Sequence, residues 1–335
     1  MKLELITTLE HFDSLKDEWN SLLPDNATNE IFLTWQWQNL WWNAYCPGDL
    51  FVFSGRDDSG KLVGLAPWFV EQPSRTIRSI GCVEVTDYLD VLASPAHRES
   101  FFTAIADHLA ANTGAFKNID LCNIPGGGPT LDVLPRLLAE RGFSVQTKPQ
   151  EVCPIISLPR DFETYIEQLD KKNRHELRRK IRRAESSDEK VGWYIVGPEH
   201  DLDAEVHRFI DLMAASHPDK AKFLEDPKHV VFFKSIVPCA AACGWLQLSF
   251  LTVNGKPAAA YLNFDYDNRI LVYNSGLVPQ TYAHLSPGIV LLAYNIQHAI
   301  EHGKREFDFL RGNEEYKYRM GGKDRPVMML EAQKN

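Results

Sequence analysis

Short apolar runs separated by polar turns fill the middle of the first half of the chain. Residues 50–55 (LFVFSG) are followed by a polar turn at 56–60 and by further apolar runs at 62–70 and 76–81. Runs of this length, bounded by turn residues, are typical of β-strands. The pattern therefore predicts an antiparallel meander in this region.

The second half carries the same pattern with stronger turn signals. Residues 245–253 (WLQLSFLTV) lead into Asn254-Gly255, a pair that tolerates positive φ and favours a hairpin turn. Two further apolar runs come after it at 257–265 and 269–275, with a polar turn between them. This pattern predicts a second antiparallel meander.

The segments after the two meanders also correspond. In each half a Ser-Pro step precedes a helical pattern, and an apolar strand with one aspartate comes after it. The steps are Ser94-Pro95 and Ser286-Pro287, and the aspartates are Asp120 and Asp308. The repeated order predicts a tandem duplication of one α/β (α+β) unit, with mixed, mostly antiparallel sheets flanked by helices.

Three prolines between residues 146 and 159 interrupt regular structure and indicate the boundary between the halves. The predicted domains are residues 1–150 and 151–335. A helix is expected to begin near Asp161.

Composition places the chain among soluble globular proteins, with 44% hydrophobic and 24% charged residues in 335. No apolar segment approaches the length that crosses a bilayer, and the N-terminus lacks the apolar region of a secretory signal. We therefore expect a cytoplasmic protein without stable membrane insertion. The six cysteines form no CxxC pair, so they are expected to be separate, small buried residues, and no metal site is predicted.

Charge is distributed unevenly along the chain. The net charge of −9 argues against a DNA-binding protein, yet residues 171–183 (KKNRHELRRKIRR) contain eight basic residues and one acidic residue. Such asymmetry favours an anionic ligand at one place, with a solvated helix face as the alternative. The residues expected to present one basic face are Lys172, Arg174, Arg178 and Arg182.

Ser286, Pro287 and Gly288 form a candidate binding motif. Serine suits a helix N-cap, proline suits the first helical position, and glycine leaves the next backbone N–H open. The N–H groups and the dipole at a helix N-terminus can bind an anion, although most such steps only begin a helix.

Several segments resemble the GNAT-fold acyltransferases, specifically their FemAB-like and CelD-like (cellulose biosynthesis) branch. The resemblance rests on YNSGLVPQTYAHLSPGIVLLAYNIQHAIEHG followed by FDFLRGNEEYKYR, on NRHELRRKIRR upstream, and on DYLDVLASP in the first half. It covers most of the chain and is most specific over residues 161–320.

The resemblance implies a donor site at the start of the helix that follows the central strand. In GNAT enzymes the pyrophosphate of acyl-coenzyme A lies on backbone amides there, and the matching positions are His284, Leu285, Ser286, Pro287 and Gly288. The usual Q/R-x-x-G-x-G/A signature is incomplete, because only one glycine is present and Pro287 has no N–H. Aminoacyl-tRNA, the donor of FemAB-like relatives, therefore stays open. The residues expected to flank the groove are Tyr273, Asn274 and Tyr282.

Chemistry is expected in the charged segment after the last predicted strand. Acyl transfer to an amine needs a neutral nucleophile, support for an oxyanion and a proton donor for the leaving group. Asp308 or Glu314 could orient or deprotonate the amine. Arg311 or Lys317 could hold an anionic group, and Tyr316 could donate the proton. A charge-rich surface loop whose residues pair with one another is the alternative.

The sequence thus predicts an N-acyltransferase that moves an acyl group from acyl-coenzyme A to an amine of a small molecule or of a cell-envelope or polysaccharide precursor. No nucleophile motif is present, so direct attack is expected. A FemAB-type transferase that uses aminoacyl-tRNA is the first alternative, in which the basic helix binds tRNA. The second is a non-catalytic GNAT pair that serves as a binding module. The first half is expected to be non-catalytic in either case, because its Asp120 strand runs into IPGGG.

Overall fold

The computed structural model describes residues 1–82, 85–278 and 280–334. The chain forms two compact units, which consist of Met1–Val152 with Arg325–Asn335, and of Cys153–Asp324. The C-terminal strand, which the sequence pattern grouped with the second half, is therefore part of the first unit.

The first unit contains many short strands and three longer helices. Its strands are β1 (Lys2–Ile6), β2 (Gly48–Leu50), β3 (Val52–Arg56), β4 (Leu62–Ala66), β5 (Trp68–Glu71), β6 (Thr76–Ser79), β7 (Leu92–Ala93), β8 (Asn118–Pro125) and the first part of β9 (Phe143–Ser157). Its helices are α1 (Leu9–Ser14), α2 (Lys16–Trp19), α3 (Trp35–Tyr45), α4 (Arg98–Ala111) and α5 (Pro129–Glu140).

The second unit has the same kinds of elements with a larger helical insertion. Its helices are α6 (Phe162–Gln168), α7 (Lys171–Glu185), α8 (Leu202–Ser216), α9 (Pro218–Phe223), α10 (Pro227–Ala242), α11 (Pro287–Glu301) and α12 (Glu315–Arg319). Its strands are β10 (Val191–Ile195), β11 (Leu246–Val253), β12 (Lys256–Tyr266), β13 (Arg269–Leu277) and β14 (Glu306–Asp308), and β15 (Lys323–Lys334) comes after them in the chain.

Two sheets are found in the first unit. One has the order β1-β3-β4-β7 and is antiparallel throughout. The other runs β15-β8-β6-β5-β2, and within it β6 and β8 are parallel because α4 lies between them in the chain. Their parallel pairing is limited to Thr76 with Asn118 and Ile77 with Ile119, after which the two strands diverge.

In the first unit, residues 86–90 fill the gap where β6 and β8 diverge. The Leu89 N–H donates to the Asn123 carbonyl at 2.8 Å, and the Asn123 side-chain amide donates to the Thr86 carbonyl at 2.8 Å. Asp90, the next residue after Leu89, is fully buried and accepts hydrogen bonds from the Thr28 and Thr130 hydroxyls. Burial raises the pKa of this carboxyl, while its hydrogen-bond donors oppose the shift. These hydrogen bonds therefore attach residues 86–90 to β8 through Asn123 and to the start of α5 through Thr130.

Cys82 and Cys122 of the first unit form a disulfide. This pairing corrects the expectation of separate cysteines. The physical reason is that residues 40 positions apart in sequence meet only through the fold, which cysteine spacing does not reveal. Cys153 is a free, buried thiol as expected.

The second unit is built on one sheet, in which β10, β11, β12 and β13 are antiparallel neighbours. The Asn254-Gly255 turn joins β11 to β12, and both residues have the positive φ that the sequence predicted. Next comes β14, parallel to β13 and reached through α11, and residues 155–157 of β9 pair with its other edge. The apolar face of α11 packs on the sheet and completes the core of this unit.

The end of β13 separates from β14. Pairing between these strands stops at Leu271 with Asp308, where β14 ends, whereas β13 continues to Leu277. A β-bulge lies at the same place, because Asn263 pairs with Val272 and Leu262 with Asn274, which leaves Tyr273 as an extra residue. Beyond Leu271, the edge of β13 that faces away from β12 therefore has no partner strand among the described residues.

Gly276 allows the C-terminal end of α8 to lie directly against β13. A Cβ atom at this position would lie 2.4 Å from the Met213 backbone nitrogen and 2.5 Å from the Leu212 carbonyl carbon. Backbone atoms cannot move aside as a flexible side chain can, so substitution must displace the helix.

We expect Gly276→Ala to lower the free energy of unfolding by about 2 kcal/mol, the usual cost of overpacking. Urea titration followed by circular dichroism measures this. Gly192→Ala on β10 is the matched control, since its nearest atom would be the Thr252 side-chain oxygen at 3.3 Å. Equal stability of the two variants would contradict the backbone contact.

Candidate active site

Helix α11 begins beside the separated end of β13. Ser286 precedes it in the left-handed conformation, with φ 52° and ψ 50°, and its side chain makes no capping hydrogen bond. Ser286 thus occupies the N-cap position as predicted, and its carbonyl accepts the first helical hydrogen bond from the Val290 N–H, but its hydroxyl does not cap the helix. Pro287 occupies the first helical position as expected. Helix geometry leaves the N–H groups of Gly288 and Ile289 without an acceptor inside the helix.

A cavity of about 400 Å³, here called the α11 chamber, opens between β13 and this helix start. The end of β13 contributes Ser275 and Leu277 to its wall, and the first turn of α11 contributes Gly288. Among the described residues the space next to Gly288 is open, since a Cβ atom there would meet only Leu277, at 3.4 Å. Of the predicted donor-site residues, Ser286, Pro287 and Gly288 line this chamber.

A second cavity of about 480 Å³, here called the α7 chamber, lies along one face of helix α7. Lys172, His175, Arg179 and Lys180 contribute to its lining from α7, together with Arg319 from α12. Glu176, whose carboxylate pairs with Arg179 at 2.7 Å, is the acidic residue of the lining. Cations outnumber anions in this chamber, although the chain as a whole is negatively charged.

Tyr316 lines both chambers, as do Lys180 and Ile289. Burial raises the pKa of the Tyr316 hydroxyl well above its ordinary value, and the nearby Tyr261 and Glu314 raise it further. Tyr316 is therefore a residue shared by both linings, and its hydroxyl is protonated.

The loop that carries Tyr316 is held by buried polar contacts. Asp308 is fully buried and its carboxylate accepts a hydrogen bond from the Leu310 N–H at 2.8 Å. Lys317 is also buried, and its ammonium donates to the carbonyls of Leu310, Arg311 and Gly312 at 2.7–3.2 Å. These contacts fix the turn before α12 and so fix the position of Tyr316.

The structure gives Lys317 a different role from the predicted anion contact. Its ammonium also lies 2.9 Å from the Glu314 carboxylate, so four oxygens surround it and none of its N–H groups is left for a substrate. The Glu314 side chain is itself 58% exposed. Among the predicted catalytic residues, Tyr316 lines the chambers, whereas Asp308, Arg311, Glu314 and Lys317 are not part of the described linings.

Comparison with known proteins gives a family match within this unit. The model of a family described as an acetyltransferase (GNAT) domain matches residues 171–318. This segment, here called the GNAT domain, is similar to that family of acyltransferases. The chain as a whole has a duplicated GNAT fold. Each unit contains two parallel strands that are joined through a helix and then diverge, β6 and β8 in the first unit and β13 and β14 in the second. No curated protein matches the chain in sequence.

Solved structures similar to the chain share its fold at low sequence identity. FemX has a TM-score of 0.62 and 11% identity, with 98% of this chain and 97% of FemX covered. A conserved protein of unknown function from Bacteroides thetaiotaomicron has a TM-score of 0.60 and 14% identity, with 99% and 100% covered. L-PGS from Bacillus licheniformis has a TM-score of 0.55 and 12% identity, with 98% and 92% covered. At these identities the likeness shows the fold alone.

The remaining predicted donor-site residues of the GNAT domain lie around the α11 chamber without lining it. His284 is exposed and bonds to Glu189 at 2.7 Å. Leu285 is buried in the core, and Tyr282 packs on the same core. Tyr273 lies 5.2 Å from the Phe264 ring, so its aromatic group belongs to the packing below the sheet. Leu285, Tyr282 and Tyr273 thus pack against other side chains. Residue type alone did not show whether they would pack in this way or line a groove.

Basic side chains of α7 lie both inside and outside the α7 chamber. Lys172 lines the chamber together with His175, Arg179 and Lys180. Arg178 pairs with Glu163, and the Arg182 side chain contacts the Arg178 carbonyl. Arg174, Arg178 and Arg182 are not part of the described lining, so their role in binding an anion stays a prediction. Leu177 and Ala184, the buried residues of α7, set its rotation on the core.

Lys220 is a polar residue of the site that the sequence did not reveal. It lies on the short helix α9, and its ammonium contacts the Asn274 side chain, predicted as a groove residue, at 3.0 Å. No local sequence signal marks it, since Lys220 and Asn274 are 54 positions apart in the chain. Only the folded chain brings this ammonium to the strand.

Metal clusters and membrane-spanning helices are both absent from the described part of the chain. No group of three or more His, Cys, Asp or Glu side chains there is arranged to hold a metal ion. No helix within residues 1–82, 85–278 and 280–334 has the length and apolar character needed to cross a membrane.

Proposed function

We propose that the GNAT domain transfers an acyl group from acyl-coenzyme A to an amine of a small molecule or of a cell-envelope or polysaccharide precursor. One observation carries the proposal. The α11 chamber brings together an open helix start, the end of β13 that β14 does not pair with, and Tyr316, whose hydroxyl is protonated.

The donor is proposed to enter along β13. The N–H groups of Gly288 and Ile289 and the nearby Lys180 offer positive charge to a pyrophosphate. The backbone of β13 beyond Leu271 can form hydrogen bonds with the amides of an extended chain, as an added strand would. A donor held in this way extends its thioester toward Ser275 and Tyr316.

The chemistry proposed is direct aminolysis of the thioester. A C–N bond forms and the C–S bond breaks. The net proton transfer is one proton from the amine to the sulfur. Tyr316 is the proposed donor of the proton to the leaving thiolate. Glu314 is the better placed of the two candidate proton acceptors, because it is exposed, whereas Asp308 is buried and already bonded to Leu310.

The first unit is proposed to be non-catalytic. The gap that forms the α11 chamber in the second unit is occupied in the first by its own residues, with Leu89 hydrogen-bonded to Asn123. A thioester would have no space at the equivalent place. The CelD-like assignment within the family likewise stays a prediction from sequence.

Transfer from aminoacyl-tRNA is the second candidate function. It is favoured by the cationic lining of the α7 chamber, which includes Lys172, Arg179 and Arg319 next to Tyr316. Phosphate contacts of nucleic acid make binding strongly salt-dependent, and this property separates the two donors.

We expect coenzyme A and acetyl-coenzyme A to raise the melting temperature saturably. A ligand at one hundred times its dissociation constant adds about 2.7 kcal/mol to the free energy of unfolding. Gly288→Trp should abolish this shift, because the indole would fill the open space beside Leu277. Differential scanning fluorimetry at two salt concentrations measures both results.

Gly114→Trp is the control, since no atom lies within 4 Å of a Cβ at that position. It should retain the full shift. A shift that survives in Gly288→Trp would refute the α11 chamber as the donor site. The lack of a shift with any thioester, together with salt-dependent binding of aminoacyl-tRNA, would establish the second candidate instead.

A further inference from the structure

Lys220 joins helix α9 to the bulged end of β13. Its ammonium donates to the Asn274 side-chain oxygen at 3.0 Å and to the Ser275 carbonyl at 2.5 Å, and lies 3.4 Å from the Ser275 hydroxyl. An ammonium has three N–H groups, so its two short contacts use most of its capacity. Lys220 therefore fixes two consecutive residues of the strand that the proposed donor would follow.

These two residues are held by a neighbouring strand on one edge. Directly after the bulge at Tyr273, Asn274 pairs with Leu262 and Ser275 with Tyr261 of β12, whereas β14 no longer pairs with this part of β13. Contacts from outside the sheet therefore matter more here than where β13 has a strand on both edges. Helix α8, which packs against Gly276 and leads directly into α9, places Lys220 at this point.

The Glu314 carboxylate acts on the charge of Lys220. Burial lowers the pKa of the Lys220 ammonium to about 8, and the Glu314 carboxylate opposes that shift. The other ionisable groups on and next to its own helix are His217, Asp219 and Lys222, all exposed. His229 of α10 stacks on the Phe223 ring at 3.7 Å.

We propose that Lys220 is a positioning residue for acyl transfer, whose charged ammonium holds Asn274 and the Ser275 carbonyl in place against the acyl donor. This inference rests on the proposed function. Loss of the proton weakens both contacts, because a neutral amine is a poorer hydrogen-bond donor than an ammonium. The edge of β13 then loosens, and the donor is no longer held in the geometry that reacts.

The expected signature is a pH profile. The kcat of the wild-type protein should fall as the pH rises through about 8, where Lys220 loses its proton. Lys220→Arg keeps the charge and should move this fall to higher pH. Lys220→Met should lower kcat by about 10- to 100-fold at pH 7 and remove the fall, with a smaller change in the KM for the donor.

Lys220→Met is expected to remain folded. Because burial lowers the pKa, the unfolded chain binds this proton more tightly than the folded chain, and the charged lysine costs stability below about pH 8. Methionine keeps the aliphatic length without that charge. Lys222→Met, on the exposed side of the same helix, is the matched control and should leave both kcat and the pH profile unchanged.

A second measurement is independent of turnover. In the donor-free protein, the NMR signals of the Asn274 side-chain amide should titrate with a midpoint near pH 8 in the wild type and shift their midpoint upward in Lys220→Arg. Titration of Asn274 together with the altered pH profiles would support the inference. An Asn274 signal that does not titrate, or a Lys220→Met variant with wild-type kcat, would overturn it.

If the proposed function itself is wrong, the experiments give a different set of results. If no thioester shifts the melting temperature of the wild type, the acyl-coenzyme A donor is refuted, and with it the positioning role, even where Asn274 titrates. If thioesters bind and react but Lys220→Met behaves as the wild type does, the donor assignment stands and only the role of Lys220 is refuted.

Discussion

Tyr316→Phe should lower kcat by about 10²- to 10³-fold while leaving the KM for the donor nearly unchanged. The ring lines both chambers, so phenylalanine preserves their walls and removes only the hydroxyl. The proton that this hydroxyl is proposed to give to the leaving thiolate must then come from water. Steady-state kinetics with a thioester donor and a thiol-detecting reagent measures the loss.

The pH dependence of this variant distinguishes Tyr316 from Lys220. Because burial raises the pKa of Tyr316 well above its ordinary value, the hydroxyl is protonated from about pH 6 to about pH 9. The variant should therefore be slower by the same factor across that range and should keep the fall near pH 8. A loss that varies with pH would contradict proton donation by Tyr316.

Tyr318→Phe is the matched control for this experiment. Tyr318 lies on the same short helix, and its hydroxyl donates to the Asp324 carboxylate at 2.8 Å on the exposed side. Its loss should change kcat by less than about twofold, in keeping with the small effects of surface substitutions. Equal losses in the two variants would mean that α12 was disturbed as a whole, and the proton-donor role would be refuted.

Lys317→Met should lower the free energy of unfolding by about 3 kcal/mol. The three carbonyls that Lys317 serves lose their donor, and a buried polar group left unpaired costs on the order of 1 kcal/mol or more. The pair with Glu314 contributes little to this sum, because that carboxylate is largely exposed. Urea unfolding of the two proteins at the same pH and salt measures the difference.

The same substitution should also abolish turnover, because the loop of residues 310–312 would no longer hold Tyr316 between the chambers. Lys323→Met removes an exposed lysine close by and should change neither property. Wild-type stability in Lys317→Met would show that the carbonyls find other donors, and the structural role assigned to this lysine would then be wrong.

Local signals in the sequence predicted the elements that carry the site. The Asn-Gly turn predicted the β11–β12 hairpin, Pro287 predicted the start of α11, and Asp161 caps the helix expected near it. These features depend on neighbours in the chain, so a pattern of residue types suffices to find them. The order of strands and helix then indicated the duplicated fold.

Features that depend on distant parts of the chain could not be predicted in this way. Which face of α7 meets solvent is set by Leu177 and Ala184 packing on the core, and a helix with so many basic residues offers several candidate faces. Lys220 reaches β13 only because α8 comes close to Gly276. The role of Lys317 likewise emerges only once a turn has brought three carbonyls together.

Residues 325–334, which form most of β15, belong to the first unit but are made after the second unit. They supply the strand that pairs with β8, for example through Val327 with Pro125 and Ala332 with Ile119. During synthesis the whole second unit emerges from the ribosome before this strand does. The first unit therefore closes its sheet only after the second unit has been made, and a nascent chain stalled before Arg325 would carry an open strand edge available to chaperones or to aggregation.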